Sequence, residues 1–96
     1  MRLMLMVEMD THASNRASRD GRMGDVINDV VERVRPEAAY FYARGGRRAL
    51  MLVVDAPDAQ SLPSLAEPFW QELDASVDVF PCMKADELIE GLQRLG

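Results

Sequence analysis

The residues best suited to acid–base chemistry stand at the ends of apolar runs in the chain. Glu8, Asp10 and His12 lie at alternate positions at the end of the first run, while Asp55 ends a later run and Asp78 lies near the start of another. Histidine is the only side chain whose ordinary pKa lies near neutrality, and a neighbouring carboxylate can orient it as a general base. We therefore predict His12 as the catalytic base and Asp55 or Asp78 as its orienting partner. The alternative is a solvated loop histidine, with the carboxylates capping loops.

Aromatic side chains form a second group with a chemical use. Tyr40 and Tyr42 alternate and so share one face of a strand, whereas Phe41 takes the other face. Rings that combine a flat apolar body with a polar tip suit an apolar or aromatic ligand. The predicted ligand-binding residues are Tyr40, Tyr42, Phe69, Trp70 and Phe80, with Tyr42 or Trp70 as pocket walls. The alternative is that the tyrosines pack on a second copy of the chain.

The composition excludes several classes of function. One cysteine, Cys82, and one histidine among 96 residues allow neither an internal disulfide nor a zinc site of the usual Cys/His type. We therefore expect no metal and no cofactor. A formal net charge of −5 disfavours a nucleic-acid partner. No apolar run approaches the roughly 18 residues of a membrane span, so we expect a cytoplasmic protein without a membrane partner.

The first half of the chain contains two strong periodic patterns. Residues 2–9 are apolar at both sets of alternating positions, which predicts a strand buried on both faces. Residues 11–21 are small, polar and charged, and this composition predicts a surface loop. Residues 23–34 carry an apolar stripe at helical spacing, which predicts a helix with Asp20 as its N-cap.

The second half is predicted to begin with a hairpin of two strands at residues 37–43 and 48–55. A helix opened by residues 56–58 follows, with its apolar positions between Leu62 and Leu73, and then come a strand at 76–83 and a final helix at 84–95. Gly45 and Gly46 suit the positive φ angles of a tight hairpin turn. Pro68 is expected to kink the helix that contains it. Pro81 is easiest to accommodate in a strand at the edge of the sheet.

This order of elements predicts a single ferredoxin-like α+β domain over residues 1–96. The fold is βαββαβ plus a C-terminal helix, with a four-stranded antiparallel sheet in the order 4-1-3-2 and both main helices on one face. With the first and third strands taken as parallel, the candidate acid–base residues meet at one edge of the sheet. The same reasoning predicts a basic opposite edge formed by Arg2, Arg44, Arg47, Arg48 and Lys84.

Apolar residues on both faces of the central strands predict a partner for the sheet. If the helices cover one face of the first strand, Met4 and Met6 remain on the other face. If they cover the opposite face, Leu3, Leu5 and Val7 remain. Such a face would expose more apolar area than the few hundred Å² usual for soluble monomers. We therefore predict a homodimer that forms through this face. The alternative is that the final helix of the same chain covers part of it.

The predicted architecture, the opening segment RLMLMVEM and the segment VVDAPD at residues 53–58 resemble the dimeric α+β barrel superfamily. That superfamily includes muconolactone-isomerase-like and YCII-related proteins, cofactor-independent monooxygenases and polyketide cyclases. The resemblance implies a homodimer in which a small apolar or aromatic metabolite binds between sheet and helices. It also implies cofactor-independent isomerase, cyclase or monooxygenase chemistry. The first predicted helix contains no histidine, so the histidine of YCII-related proteins has no counterpart there. The alternative function is a non-catalytic ligand-sensing or protein-interaction module of the same fold.

Overall fold

A computed structural model describes residues 1–96 as four strands and four helices. The strands are β1 (Arg2–Glu8), β2 (Ala38–Arg44), β3 (Arg47–Asp55) and β4 (Ser76–Pro81). The helices are α1 (Thr11–Arg19), α2 (Arg22–Val34), α3 (Leu62–Leu73) and α4 (Ala85–Gln93). All neighbouring strands are antiparallel, in the order β2-β3-β1-β4. The predicted α+β, ferredoxin-like architecture and its strand order are therefore confirmed.

The hydrophobic core lies between one face of the sheet and helices α1, α2 and α3. Alternate residues of the central strands point into it, because side chains of a strand alternate between the two faces. The main core residues are Leu3, Leu5, Val7, Leu50, Leu52 and Val54 from the strands, with Ala17, Val30, Leu65, Phe69 and Leu73 from the helices. No helix packs against the other face, which we call the open face. Its apolar members are Met4, Met6, Ala49, Met51, Val53, Ala38, Tyr40, Tyr42 and Phe80.

Helix α1 occupies the segment that composition predicts as a loop, so that prediction is wrong. The carboxylate of Asp10 accepts a hydrogen bond from the backbone N–H of Ala13 at 2.9 Å and so caps the helix. Ala13, Ser14 and Ala17 are buried at helical spacing. Small residues suffice for this buried face because α1 packs close to its neighbours. A helix whose buried face consists of small residues lacks the stripe of large apolar residues from which helices are predicted.

The predicted N-cap of α2 is also wrong. Asp20 instead ends α1, where its backbone N–H donates to the carbonyl of Arg16. Gly21 follows with a φ of 75° and immediately precedes α2. Glycine adopts this left-handed backbone at little cost, so the chain turns sharply between two consecutive helices.

Strands β1 and β3 are antiparallel, which contradicts the predicted parallel pair. Arg2 is paired with Asp55 and Glu8 with Ala49, so the end of β3 lies beside the start of β1. The physical reason is that, in an antiparallel sheet, every strand must oppose its neighbours. The predicted clustering of all the candidate acid–base residues at one edge is therefore wrong.

The predicted basic edge is wrong for the same reason. The β2–β3 hairpin brings its arginines to the end of the sheet that carries Glu8, and Arg47 pairs with Glu8 at 3.5 Å. Arg48 donates hydrogen bonds to the side chains of Ser14 and Asn15 in α1 at 2.9 and 2.8 Å. Arg2 lies at the opposite end of the sheet. Basic and acidic groups are thus mixed at both ends.

Two local predictions are confirmed by backbone geometry. Gly45 and Gly46 form the hairpin turn with φ angles of 58° and 79°, which favour the right-handed twist of the flanking strands. Pro81 ends β4, an edge strand that pairs only with β1.

Pro68 lies inside α3 and leaves a backbone acceptor free. Proline has no N–H, so residue 68 cannot donate to the carbonyl of Ser64 four positions earlier. That carbonyl instead accepts a hydrogen bond from the guanidinium of Arg33 in α2, at 2.8 Å. The proline thereby creates a polar link between α2 and α3.

Helix α4 stands apart from the rest of the fold. It makes at most marginal contact with other elements and contributes no residue to the core. The molecule is consequently elongated, with dimensions of 55 × 27 × 17 Å. The alternative that the final helix covers the open face of its own sheet is wrong. None of the four helices has the length and apolar character needed to cross a membrane.

Candidate functional site

An apolar pocket of about 280 Å³ opens at the end of the sheet where β1 begins. We call it the end pocket. Its walls come from the start of β1, the end of β4 and the segment between β3 and α3. The lining residues are Met1, Leu3, Ala56, Pro57, Asp58, Ala59, Leu62, Val79, Phe80 and Pro81. The volume lies near the lower end of the range of about 300–1,000 Å³ typical of ligand sites, and apolar linings are usual there.

Hydrogen bonds of the backbone and chain terminus hold the end pocket in shape. The terminal amino group of Met1 donates to the carboxylate of Asp55 at 3.3 Å and to the carbonyl of Ala56 at 2.8 Å. The carboxylate of Asp58 accepts from both the backbone N–H and the hydroxyl of Ser61, each at 3.1 Å. These contacts fix the β3–α3 segment, which forms one wall of the pocket.

A smaller pocket of about 30 Å³ lies on the open face near the hairpin. Glu8, Asp78, Tyr42 and Arg44 supply its polar groups, and Met6 forms part of its apolar wall. Two sequence-predicted residues, Asp78 and Tyr42, therefore come together here. Glu8 is already engaged by Arg47.

The structure separates the predicted catalytic residues. His12 is exposed in the first turn of α1 and lines neither pocket, and Asp10 beside it caps that helix. Asp55 lies at the opposite end of the sheet and is paired with the amino terminus of Met1. Asp78 lies on β4, opposite Met6 of β1. The three residues are thus distributed over two ends of the sheet and a helix.

The predicted ligand-binding residues do not share one pocket. Phe69 is only 1% exposed and belongs to the core, whereas Trp70 beside it is 43% exposed. Tyr40 and Tyr42 lie on β2 at one edge of the sheet, and Phe80 lies on β4 at the other. Of the five, only Phe80 lines the end pocket.

Sequence reasoning missed the residues that form most of the end pocket. Pro57 and Ala59 lie in the segment that precedes α3, and Leu62 is the first residue of α3; composition indicates only a helix start there. The sequence does indicate that this segment directly follows β3. Because β3 ends beside the start of β1, the segment also lies beside the start of β1.

Arg2 links three parts of the chain on the open face, at the end of the sheet where the end pocket opens. Its guanidinium donates to Glu37, which precedes β2, at 2.5 Å and also to Glu87 in the first turn of α4. The hydrogen bond with Glu37, followed by the charges of both carboxylates, raises the pKa of Arg2. The backbone N–H of Lys84 and then the contact with Arg2 lower the pKa of Glu87. The carboxylate of Glu87 is therefore held in its charged form.

The structure contains no cluster of histidine, cysteine and carboxylate side chains suited to a metal ion. Cys82 is a free, partly buried thiol just after β4. No model of a known protein family matches the chain, and no curated protein has a significantly similar sequence.

Proposed function

We propose that this protein is a homodimer that binds a small, mostly apolar molecule in the end pocket. The pocket carries the proposal, because it combines an apolar lining with walls fixed by hydrogen bonds at Met1 and Asp58. A preformed apolar cavity binds a ligand without a large ordering cost. Together with the strand order, it supports membership of the dimeric α+β barrel superfamily, whose members hold small molecules between sheet and helices.

The homodimer is supported by the open face. Met4, Met6 and Met51 are only partly buried there, and Tyr40 is 66% exposed. A continuous apolar surface of this kind on a soluble protein marks an interaction site. A second copy of the chain would remove it from water.

The end pocket favours binding over catalysis. Asp58 is the only lining residue with a titratable side chain, and its carboxylate already accepts two hydrogen bonds from Ser61. His12 lies on α1, away from the pocket. The isomerase, cyclase or monooxygenase chemistry implied by the resemblance would therefore need a base from outside this lining.

Titration with indole, followed by NMR of side-chain methyl groups, tests the proposed binding. Indole has the size and apolar character that suit the pocket, and we expect concentration-dependent shifts at Leu62 and Val79. The substitution Ala59→Phe fills the mouth of the pocket and should abolish these shifts. The control Ala43→Phe places the same ring on β2, outside the pocket, and should leave them unchanged. Shifts that survive Ala59→Phe, or no shifts at saturating indole, would contradict the proposal.

The second candidate function is a protein-interaction module without a ligand. The observation that favours it is the number of exposed apolar side chains outside the pocket, among them Phe41, Leu88 and Leu92. A dimer that binds no indole would favour this alternative.

A further inference from the structure

One row of residues across the open face has a polar group at each edge of the sheet. The strand register places Tyr40, Met51, Met6 and Asp78 side by side across the four strands. We call these four residues the central row. Tyr40 lies on the edge strand β2 and Asp78 on the opposite edge strand β4. Three strand spacings, about 14 Å, separate the two residues, so their side chains do not meet within one chain.

Both polar groups of the central row lack a partner within the chain. Asp78 is exposed, and its carboxylate forms no ion pair and accepts no hydrogen bond. Tyr40 is 66% exposed, and its hydroxyl forms no hydrogen bond. A second copy that covers the open face would bury a charge and a hydroxyl, which is costly unless each acquires a partner.

We propose that the two-fold axis of the homodimer runs along the strands, so that the Tyr40 hydroxyl of each copy donates a hydrogen bond to the partner's Asp78. The inference rests on the proposed homodimer and adds the orientation of the two copies and the polar contacts that fix it. Each contact takes one residue from each protomer, and the symmetric dimer contains two of them.

Sheets that pack face to face allow this contact. Their strand directions stay within about 30° of each other, and the sheets lie about 10 Å apart. An axis along the strands, at the middle of the sheet, lays β2 of one copy over β4 of the other and keeps each row opposite the same row of the partner. Tyr40 then lies over the partner's Asp78, and Met51 lies over the partner's Met6. The apolar middle of the row is covered by apolar side chains, and its two polar ends are covered by each other.

An axis across the strands gives a less favourable interface. At the level of the central row it would lay β4 over β4 and set the Asp78 carboxylates of the two copies against each other. Two like charges removed from water, with no partner of opposite charge, oppose association. The axis along the strands avoids this cost.

The other charges of the open face are consistent with the same axis. Arg2 already pairs with Glu37 and Glu87 at one end of the sheet, and Arg47 pairs with Glu8 at the other. These groups therefore need no partner from a second copy.

Arg44, by contrast, forms no ion pair within the chain. It belongs to the same edge strand as Tyr40, β2. The proposed axis places this edge over the β4 edge of the partner, so the positive charge of Arg44 lies on the side of the interface that receives the partner's Asp78.

Dimer dissociation, measured by sedimentation equilibrium, tests the contact. Tyr40→Phe removes only the hydroxyl and leaves the Asp78 carboxylate buried without a donor at both contacts. We expect the dissociation constant to rise about 100-fold, since two hydrogen bonds to charged groups are lost. Asp78→Ala added to Tyr40→Phe removes the unpaired charge as well and should restore most of the affinity. Asp25→Ala makes the same change on the exposed side of α2 and should leave the dissociation constant unchanged.

Three results would overturn the proposal. A Tyr40→Phe dimer as tight as the natural one shows that the contact does not form, while the homodimer itself stands. A dimer that becomes tighter with Asp78→Ala alone indicates that Asp78 faces its own counterpart. A monomeric natural protein removes the homodimer together with the contact. Circular dichroism verifies the fold of each variant, and indole binding reports on the end pocket separately.

Thiol cross-linking measures the orientation independently of affinity. One variant carries Cys82→Ser with Tyr40→Cys, and the other carries Cys82→Ser with Asp78→Cys. A mixed dimer sets the two new thiols opposite each other and retains one natural contact between Tyr40 and Asp78. We expect a short bis-maleimide to link mixed pairs. Each variant alone should give little product, because its two thiols then lie at opposite edges of the interface. Products formed only between two Asp78→Cys chains, or only between two Tyr40→Cys chains, would indicate an axis across the strands and contradict the proposal.

Discussion

At the residue scale, Arg2 connects segments that lie far apart in the sequence. It is paired with Asp55 in the sheet register and donates to Glu37 and Glu87. All three acidic residues lie at one end of the open face. The guanidinium of Arg2 therefore connects the segment before β2 and the first turn of α4 to this end of the sheet. Nothing in the sequence indicates these partners, because they are separated by 35 and 85 positions.

The lowered pKa of Glu87 predicts a pH dependence for the start of α4. In the folded protein this pKa lies below its ordinary value of 4.5, so the charged carboxylate stabilises the structure above that pH. The stabilisation is lost as the pH falls through the lowered pKa. We expect the carboxyl resonance of Glu87, followed by carbon NMR, to titrate with a midpoint below 4.5.

Two variants separate the causes of that shift. Arg2→Gln should raise the midpoint only part of the way, because the backbone N–H of Lys84 is the larger cause and remains. Lys84→Arg retains this N–H and should leave the midpoint unchanged. A midpoint that does not respond to Arg2→Gln would show that the Arg2–Glu87 contact does not form in solution.

At the scale of elements, sequence patterns identify those with large apolar residues and miss the one with small residues. The stripe of α2 and the apolar runs of β1 and β3 are evident, because branched and long side chains recur at regular spacing. Helix α1 buries Ala13, Ser14 and Ala17 instead, so its composition resembles that of a loop.

Pro68 and Arg33 are expected to be energetically coupled through the carbonyl of Ser64. Pro68→Ala restores a backbone donor to that carbonyl, which then competes with the guanidinium of Arg33. In the natural sequence, Arg33→Ala should lower the free energy of unfolding by about 1 kcal/mol. In the Pro68→Ala background, Arg33→Ala should lower the free energy of unfolding by a smaller amount, and the difference should be about 0.5 kcal/mol or more. A double-mutant cycle measured by urea denaturation gives the coupling, and strict additivity would contradict it.

At the scale of the whole molecule, the topology could be predicted, but the candidate site could not. The order of elements fixes a small number of possible sheets, and the observed strand order is one of them. The site depends on which strand ends meet. A parallel arrangement of β1 and β3 would place Asp55 at the end of the sheet that carries Glu8. Because the two strands are antiparallel, Asp55 lies instead beside the start of β1, at the end of the sheet where the end pocket opens.

The isolation of α4 predicts that it can be removed without loss of the fold. Residues 85–96 contribute nothing to the core, so a chain that ends at Lys84 should unfold with a free energy within about 0.5 kcal/mol of the full-length monomer. Urea denaturation at low protein concentration measures this. Loss of cooperative unfolding would show that α4 stabilises its own protomer.

Helix α4 is joined to the rest of the molecule by an exposed ion pair and not by apolar packing. The pair of Arg2 and Glu87 attaches its first turn to the sheet, and dissolved salt screens such a pair. Farther along, Leu88, Ile89 and Leu92 are exposed and none of them belongs to the core. High salt is therefore expected to free α4 from the sheet while the sheet and the other three helices keep their structure.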